Sequence, residues 1–205
     1  FKRVVHLTSI NVKSNTYCTS FIEITSPTQT KLMTYDSEGI RTFYNKFFNA
    51  MAQIIAQNNG KILKNIGDGI ASYFPKTSDY TDDSAIKDVL ECCLIQIERQ
   101  QSLSIDMARE KLPEISYKIC TDYGVLNYEI NLDDVFDKPP WLPPVYKICS
   151  TVSTNTAVLG DDLYKIITAL PLIQEKYLIE RIGEYIDDAR KNVPYSFYSL
   201  SRCPN

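Results

Sequence analysis

Residues 61–74 read KILKNIGDGIASYF: two apolar, strand-like runs, KILKNI and IASYF, on either side of Gly67-Asp68-Gly69. Asp-Gly is the dipeptide that best suits a type I′ turn, in which both central residues need positive φ, so the stretch predicts a β-hairpin turning at Asp68-Gly69. Two readings of Asp68 stand open. The turn alone wants an Asp there, or the carboxylate is held at the hairpin tip for a metal ion.

Outward from the hairpin the period changes from two to 3.6. Between Asp36 and Asn58 the residues Ile40, Phe43, Tyr44, Phe47, Phe48, Met51, Ile54 and Ile55 fall on one face of an α-helix, with Asp36 or Ser37 as the cap and Gly60 just beyond the end. Its aromatic stripe reads as core. A second long helix is predicted over TDDSAIKDVLECCLIQIERQQ (81–101), which opens on a cluster of capping residues. EISYKICTDYGVLNYEI (114–130) then predicts two strands turning at Asp122-Tyr123-Gly124.

On the near side, FKRVVHLTSI (1–10) reads as the first strand, and the polar stretch after it as loop, relieved by CTSFIEI (18–24) as a short extra strand. Strand, helix, hairpin, helix, hairpin is the order of an α+β sandwich. It predicts a ferredoxin-like, mostly antiparallel sheet with two helices packed on one face. Beyond it, DKPPWLPP (137–144) predicts a rigid surface connection in which Trp141 packs on its own domain, DDLYKIIT (161–168) a short helix capped by Asp161 or Asp162, PLIQEKYLIERIGEYIDDARK (171–191) a helical or mixed segment, and YSFYSL (195–200) a closing strand. One domain over 1–205 is expected.

The net charge of −3 and the interleaving of acids and bases leave no electrostatic footprint for nucleic acid. Apolar runs are short of the ~20 residues that span a bilayer, so no membrane span is expected. No signal-peptide pattern opens the chain, and because residue 1 is Phe, a flanking domain, such as a sensor, is expected beside it. Six cysteines without Cys-x-x-Cys spacing predict reduced, mostly buried thiols in a cytoplasmic protein. His6, the single histidine, is expected to be a strand residue, and no zinc site is predicted. Asp122, Asp133, Asp134 and Asp137 read as a solvated acidic rim.

The run from Gly60 to Phe74 resembles the class III nucleotidyl cyclase signature, in which a helix ends at Gly and a Lys-x-x-Gly-Asp-Gly hairpin closes on Phe. The order of elements over most of residues 1–130 resembles that family's as well. The resemblance implies a head-to-tail dimer whose active site forms between chains. In it two carboxylates of one chain hold two divalent ions, Mg or Mn, which neutralise the triphosphate of ATP or GTP and activate the ribose hydroxyl. Asp68 matches the hairpin carboxylate and metal ligand. Lys64 matches the residue that reads adenine, and Gly67 and Gly69 complete the motif.

Three departures qualify this. On the first strand the position of the second metal aspartate falls on Ser9, and the first acidic residue anywhere is Glu23. Aligned on VYKICS (145–150) or on VSTNTA (152–157), the family's Val-Asn-x-Ala-x-Arg motif finds neither Asn nor Arg. After position 110 the arginines are Arg181, Arg190 and Arg202, none with Asn four residues before it. The expectation is therefore a degenerate cyclase homology domain, a pseudoenzyme without catalytic residues. It would keep Lys64, Gly67, Asp68 and Gly69 as a vestigial nucleotide site and serve as a homodimeric, regulatory or nucleotide-sensing module in signal transduction. The alternative is an active cyclase with a non-standard metal site, which requires a second carboxylate beside Asp68. A plain ferredoxin-like interaction domain is the third reading.

Overall fold

The computed structural model describes residues 15–126, 149, 152–186 and 193–204. The elements are β1 (Asn15–Ile24), α1 (Ser26–Leu32), α2 (Ser37–Gln57), β2 (Lys61–Ile66), β3 (Gly69–Phe74), a 3₁₀ turn (Pro75–Ser78), α3 (Asp83–Arg109), β4 (Tyr117–Leu126), β5 (Ala157–Gly160), α4 (Asp161–Thr168), α5 (Pro171–Gln174), β6 (Tyr177–Ile186) and β7 (Pro194–Arg202). Among the described residues seven strands form one sheet in the order β2-β3-β1-β4-β5-β7-β6. All pairings are antiparallel except β4 with β5.

The two long helices form where the 3.6-residue period predicts them. The Asp36 side chain accepts from Gly39 N–H at the start of α2, and the Asp82 side chain accepts from Ser84 and Ala85 N–H at the start of α3. Phe43, Phe47, Met51 and Ile55 of α2 and Ile86, Val89, Leu90 and Cys93 of α3 join one core cluster with Cys18, Ile22 and Ile24 of β1, Ile70 of β3 and Ile119 of β4. The α+β class, with helices on a largely antiparallel sheet, is borne out. Asp82→Ala, which leaves two first-turn amides without their acceptor, is expected to cost about 1 kcal/mol in urea unfolding.

Several boundaries move. CTSFIEI is a strand as read, but longer and more central: it is the body of β1, between β3 and β4. The stretch after it, read as loop, holds α1, which starts with Pro in its first turn. No turn occurs at Asp122-Tyr123-Gly124, since β4 runs straight through and pairs Thr19, Cys18 and Tyr17 with those three residues. The segment 171–191 is mixed, a short helix at Pro171–Gln174 and then strand at Tyr177–Ile186, and α4 has Gly160 at its N-cap, with Asp161 and Asp162 inside the first turn. Cys120 of β4 and Cys149 form a disulfide, against the expectation of six thiols; Cys18, Cys92, Cys93 and Cys203 are free. The predicted strand at 1–10 with His6 and Ser9, the proline-rich connection with Trp141, and Asp133, Asp134 and Asp137 lie outside the described residues.

Candidate metal and nucleotide site

The hairpin forms with a shifted turn. Ile66 pairs with Gly69, so the two-residue loop is Gly67-Asp68, and Gly67 has φ +52° while Asp68 is not at positive φ. A glycine at the first central position with positive φ meets the type II′ requirement, not the I′ requirement expected at Asp68-Gly69. The change matters for Asp68. The turn demands glycine at 67 and makes no conformational demand on 68.

Gly69 is required for a different reason. A Cβ there would run into the Ile22 carbonyl oxygen and the Phe21 ring, because β3 begins in close contact with β1. That contact continues around the corner: Ile24 N–H donates to the Asp68 carbonyl at 3.3 Å, tying the end of β1 to the hairpin tip. One residue earlier, Glu23 pairs with Gly69. Ser9 stands opposite Asp68 only on the expectation that 1–10 is the adjoining strand. The strand actually paired with β3 ends in Glu23-Ile24, so an acidic residue does stand beside the hairpin.

Glu23 and Asp68 are both half-buried. By strand alternation Glu23 shares the face of Phe21, opposite the face on which Ile22 and Ile24 meet the helices. The Asp68 carboxylate accepts a hydrogen bond from the Tyr44 hydroxyl of α2. Tyr44 is held by its own helix, its ring stacked on Phe48 at 5.7 Å and edge-on to Phe43 at 5.7 Å. Burial, and then the Asp68 carboxylate, raise the Tyr44 hydroxyl above its ordinary pKa. Lys64 is exposed on the edge strand β2, opposite Ala71 and next to a break in register. The structure thus brings Gly67, Asp68 and Gly69 together with Glu23 and Tyr44, and sets Lys64 on the strand leading into them.

Carboxylate oxygens are hard ligands suited to Mg²⁺ or Mn²⁺. Among the described residues no group of three or more His, Cys, Asp or Glu is placed to hold a metal. Mg²⁺ keeps several waters and is commonly held by one or two carboxylates plus substrate phosphates. Glu23 and Asp68 are ligands of this kind, although Asp68 is drawn to Tyr44 on the helix side and Glu23 leaves β1 from the opposite face. A cation arriving with a polyphosphate would be shared by both only with Asp68 turned from Tyr44.

The remaining predicted positions are apart from this corner. Asp122, expected on an acidic rim, is fully buried. One oxygen accepts from Leu163 N–H at 3.0 Å and Tyr123 N–H at 2.8 Å, and the other accepts from the Tyr195 hydroxyl. Burial raises its pKa to about 6, against the opposing pull of these three donors. The window 152–157 is no helix: Asn155 sits at φ +58° and is pinned to Tyr117 through its N–H, at 2.8 Å, and its side-chain oxygen, before β5 begins at Ala157. In the other window, the described residue is Cys149, whose carbonyl accepts from Lys118 Nζ at 2.8 Å. Arg202 is bound to Glu91 and Glu98, Arg181 to Glu184, and Arg190 lies outside the described residues.

No protein-family model and no curated protein matches the sequence. Solved structures do match. The adenylyl cyclase CyaB from P. aeruginosa superposes with TM-score 0.75 at 13% identity, over 94% of this chain and 97% of that one. The guanylate cyclase domain of RhGC from Catenaria anguillulae, in complex with GTP, gives 0.71 at 13% identity over 94% and 100%. The non-canonical dimeric guanylyl cyclase domain of RhoGC from Blastocladiella emersonii gives 0.69, also at 13% identity, over 94% and 100%. The likeness spans nearly the whole of each chain, on both sides of the hairpin, and the chain accordingly has the fold of the class III nucleotidyl cyclase catalytic domains that its Gly-Asp-Gly motif resembles.

Proposed function

We propose that this domain binds the cation and phosphates of a purine nucleoside triphosphate, ATP or GTP, at the Glu23–Asp68 corner and does not by itself form a cyclic nucleotide. The observation that carries this reading is the pairing of Glu23 with Gly69, which supplies the second carboxylate that Ser9 could not. With both carboxylates present, the chain corresponds to the metal-binding half of a cyclase site. The cation would neutralise the triphosphate and polarise its phosphoryl oxygens. Glu23 and Asp68 would hold it, and Lys64 of a second copy would meet the base.

The other half is what the chain lacks. No arginine after residue 110 has Asn four positions before it, and Arg181 and Arg202 are already engaged by glutamates. Loss of one preorganised transition-state donor typically costs about 10²- to 10³-fold in rate. A homodimer would therefore carry two nucleotide sites without the groups that stabilise the transition state. This suits a regulatory or nucleotide-sensing module, or a partner for a chain that brings the missing Asn and Arg. No helix among the described residues is long and apolar enough to cross a membrane, and we place the module in the cytoplasm, where these nucleotides are abundant.

A working cyclase with a non-standard site is the second reading, and Glu23 favours it on the metal side. The two separate in one assay. The purified chain, incubated with Mn²⁺ and ATP or GTP, is expected to bind nucleotide by calorimetry and to return it unchanged by chromatography. Cyclic nucleotide formed at a rate that Asp68→Ala abolishes would establish the second reading, and absence of binding would overturn both.

A further inference from the structure

The Asp68 carboxylate is engaged from the helix side. Its bond to the Tyr44 hydroxyl draws it toward α2, which packs on the face bearing Ile22 and Ile24. Glu23, one residue out of phase with those two, departs from the opposite face. A cation shared by both carboxylates needs Asp68 to turn away from α2, while Tyr44 is fixed by its stacking on Phe48 and its edge contact with Phe43.

We infer that Tyr44 is a latch on the metal site: its hydroxyl competes with the divalent cation for Asp68, so the site has a latched arrangement with Asp68 on Tyr44 and a loaded one with Asp68 and Glu23 on the cation. This rests on the reading of Glu23 and Asp68 as the cation site and adds the residue that sets its affinity. Tyr44 touches Asp68 and neither cation nor nucleotide, so it is a positioning residue. Binding of the cation breaks one hydrogen bond and forms no covalent bond. A ligand can shift such an equilibrium only by its preference for one state, so whatever weakens the latch raises apparent affinity by the population it frees.

The test is Tyr44→Phe, which keeps the ring on Phe48 and removes only the hydroxyl. Mn²⁺ binding is read by electron paramagnetic resonance, with and without ATP, on wild type, Tyr44→Phe and Asp68→Asn. A hydrogen bond to an ionised carboxylate is commonly worth about a decade in an equilibrium constant, so Tyr44→Phe is expected to bind Mn²⁺ about tenfold more tightly. A second readout is the ring-carbon resonance of Tyr44, which Mg²⁺ with ATP should move in wild type as the hydroxyl loses its carboxylate partner. Equal or weaker Mn²⁺ binding by Tyr44→Phe, with wild-type binding that Asp68→Asn removes, would overturn the latch and leave the site standing. No Mn²⁺ binding by either protein, with or without ATP, would overturn the site and the latch together.

Discussion

Glu23→Gln is expected to weaken binding of Mn²⁺ with ATP about 100-fold, and Asp68→Asn by a similar factor. Affinity in an oxygen-ligand site follows the number of charged ligands, and even residues that only support a ligand cost about 10- to 100-fold when changed. Removing one of two carboxylates is at least as severe. The two losses should be coupled rather than strictly additive, because both act on one cation. Folding should survive both changes. Glu23 and Asp68 lie outside the core clusters, and Asn retains a side-chain oxygen to accept from Tyr44. Calorimetric titration of the four proteins checks this. Additive losses would mean that the two side chains do not share an ion, and an unchanged Glu23→Gln would return the site to Asp68 alone.

Asp122 should make the fold less stable at neutral pH than at acid pH. Its folded pKa of about 6 lies above the ordinary 3.8, with burial the largest cause. The folded state therefore favours the protonated acid, and the stability this adds is present below the unfolded value and lost as pH rises through the folded one. At 1.36 kcal/mol per pKa unit the loss between about pH 4 and pH 6 amounts to about 3 kcal/mol. Asp122→Asn keeps an oxygen for the two backbone amides and an NH₂ that the Tyr195 oxygen can accept. It should remove that dependence. The measurement is urea unfolding of both proteins across pH 4 to 7, reading the difference so that other titrating groups cancel. The variant should gain about 3 kcal/mol relative to wild type toward neutral pH; a flat difference would show that Asp122 is not held away from water as the structure has it. Gly160 belongs to the same arrangement, since a Cβ there would fall on the Asp122 carboxyl and the Tyr195 hydroxyl.

The two long helices and the hairpin were legible because their patterns are local. One face of α2 and of α3 repeats every 3.6 residues, and Gly-Asp-Gly between apolar runs marks a turn. Which pair of that tripeptide turns was not legible, since Gly67-Asp68 and Asp68-Gly69 both supply a glycine, and only the pairing of Ile66 with Gly69 decides. The strand at 18–24 was legible, but its place at the centre of the sheet was not, for a physical reason. β1 is buried on both faces yet contains Thr19 and Ser20, whose polarity marks it as peripheral. In the folded chain such groups find partners far away in sequence: Ser20 Oγ accepts from Thr121 Oγ1 at 2.8 Å, and Cys18 N–H donates to Thr77 Oγ1 at 2.7 Å. That misplacement carried the metal position to Ser9 and hid Glu23.

Asp122 misled in the same way. Asp-x-Gly is a turn signal by composition, but its side chain is taken up by Tyr195, 73 residues on. The Cys120–Cys149 bond could not be inferred, since cysteine connectivity does not follow from spacing alone. Tyr44 was assigned to the core with the rest of its aromatic stripe. It differs from its neighbours only in a hydroxyl, and the carboxylate that the hydroxyl meets is 24 residues away.

Crystals grown with Mn²⁺ and ATP and measured at the manganese absorption edge would locate the cation. An anomalous peak is expected where β1 ends against the β2–β3 hairpin, coordinated by the carboxylates of both Glu23 and Asp68, with the Tyr44 hydroxyl released. A cation elsewhere on the chain, or one held by Asp68 while Glu23 stays turned away, would contradict a site shared by the two.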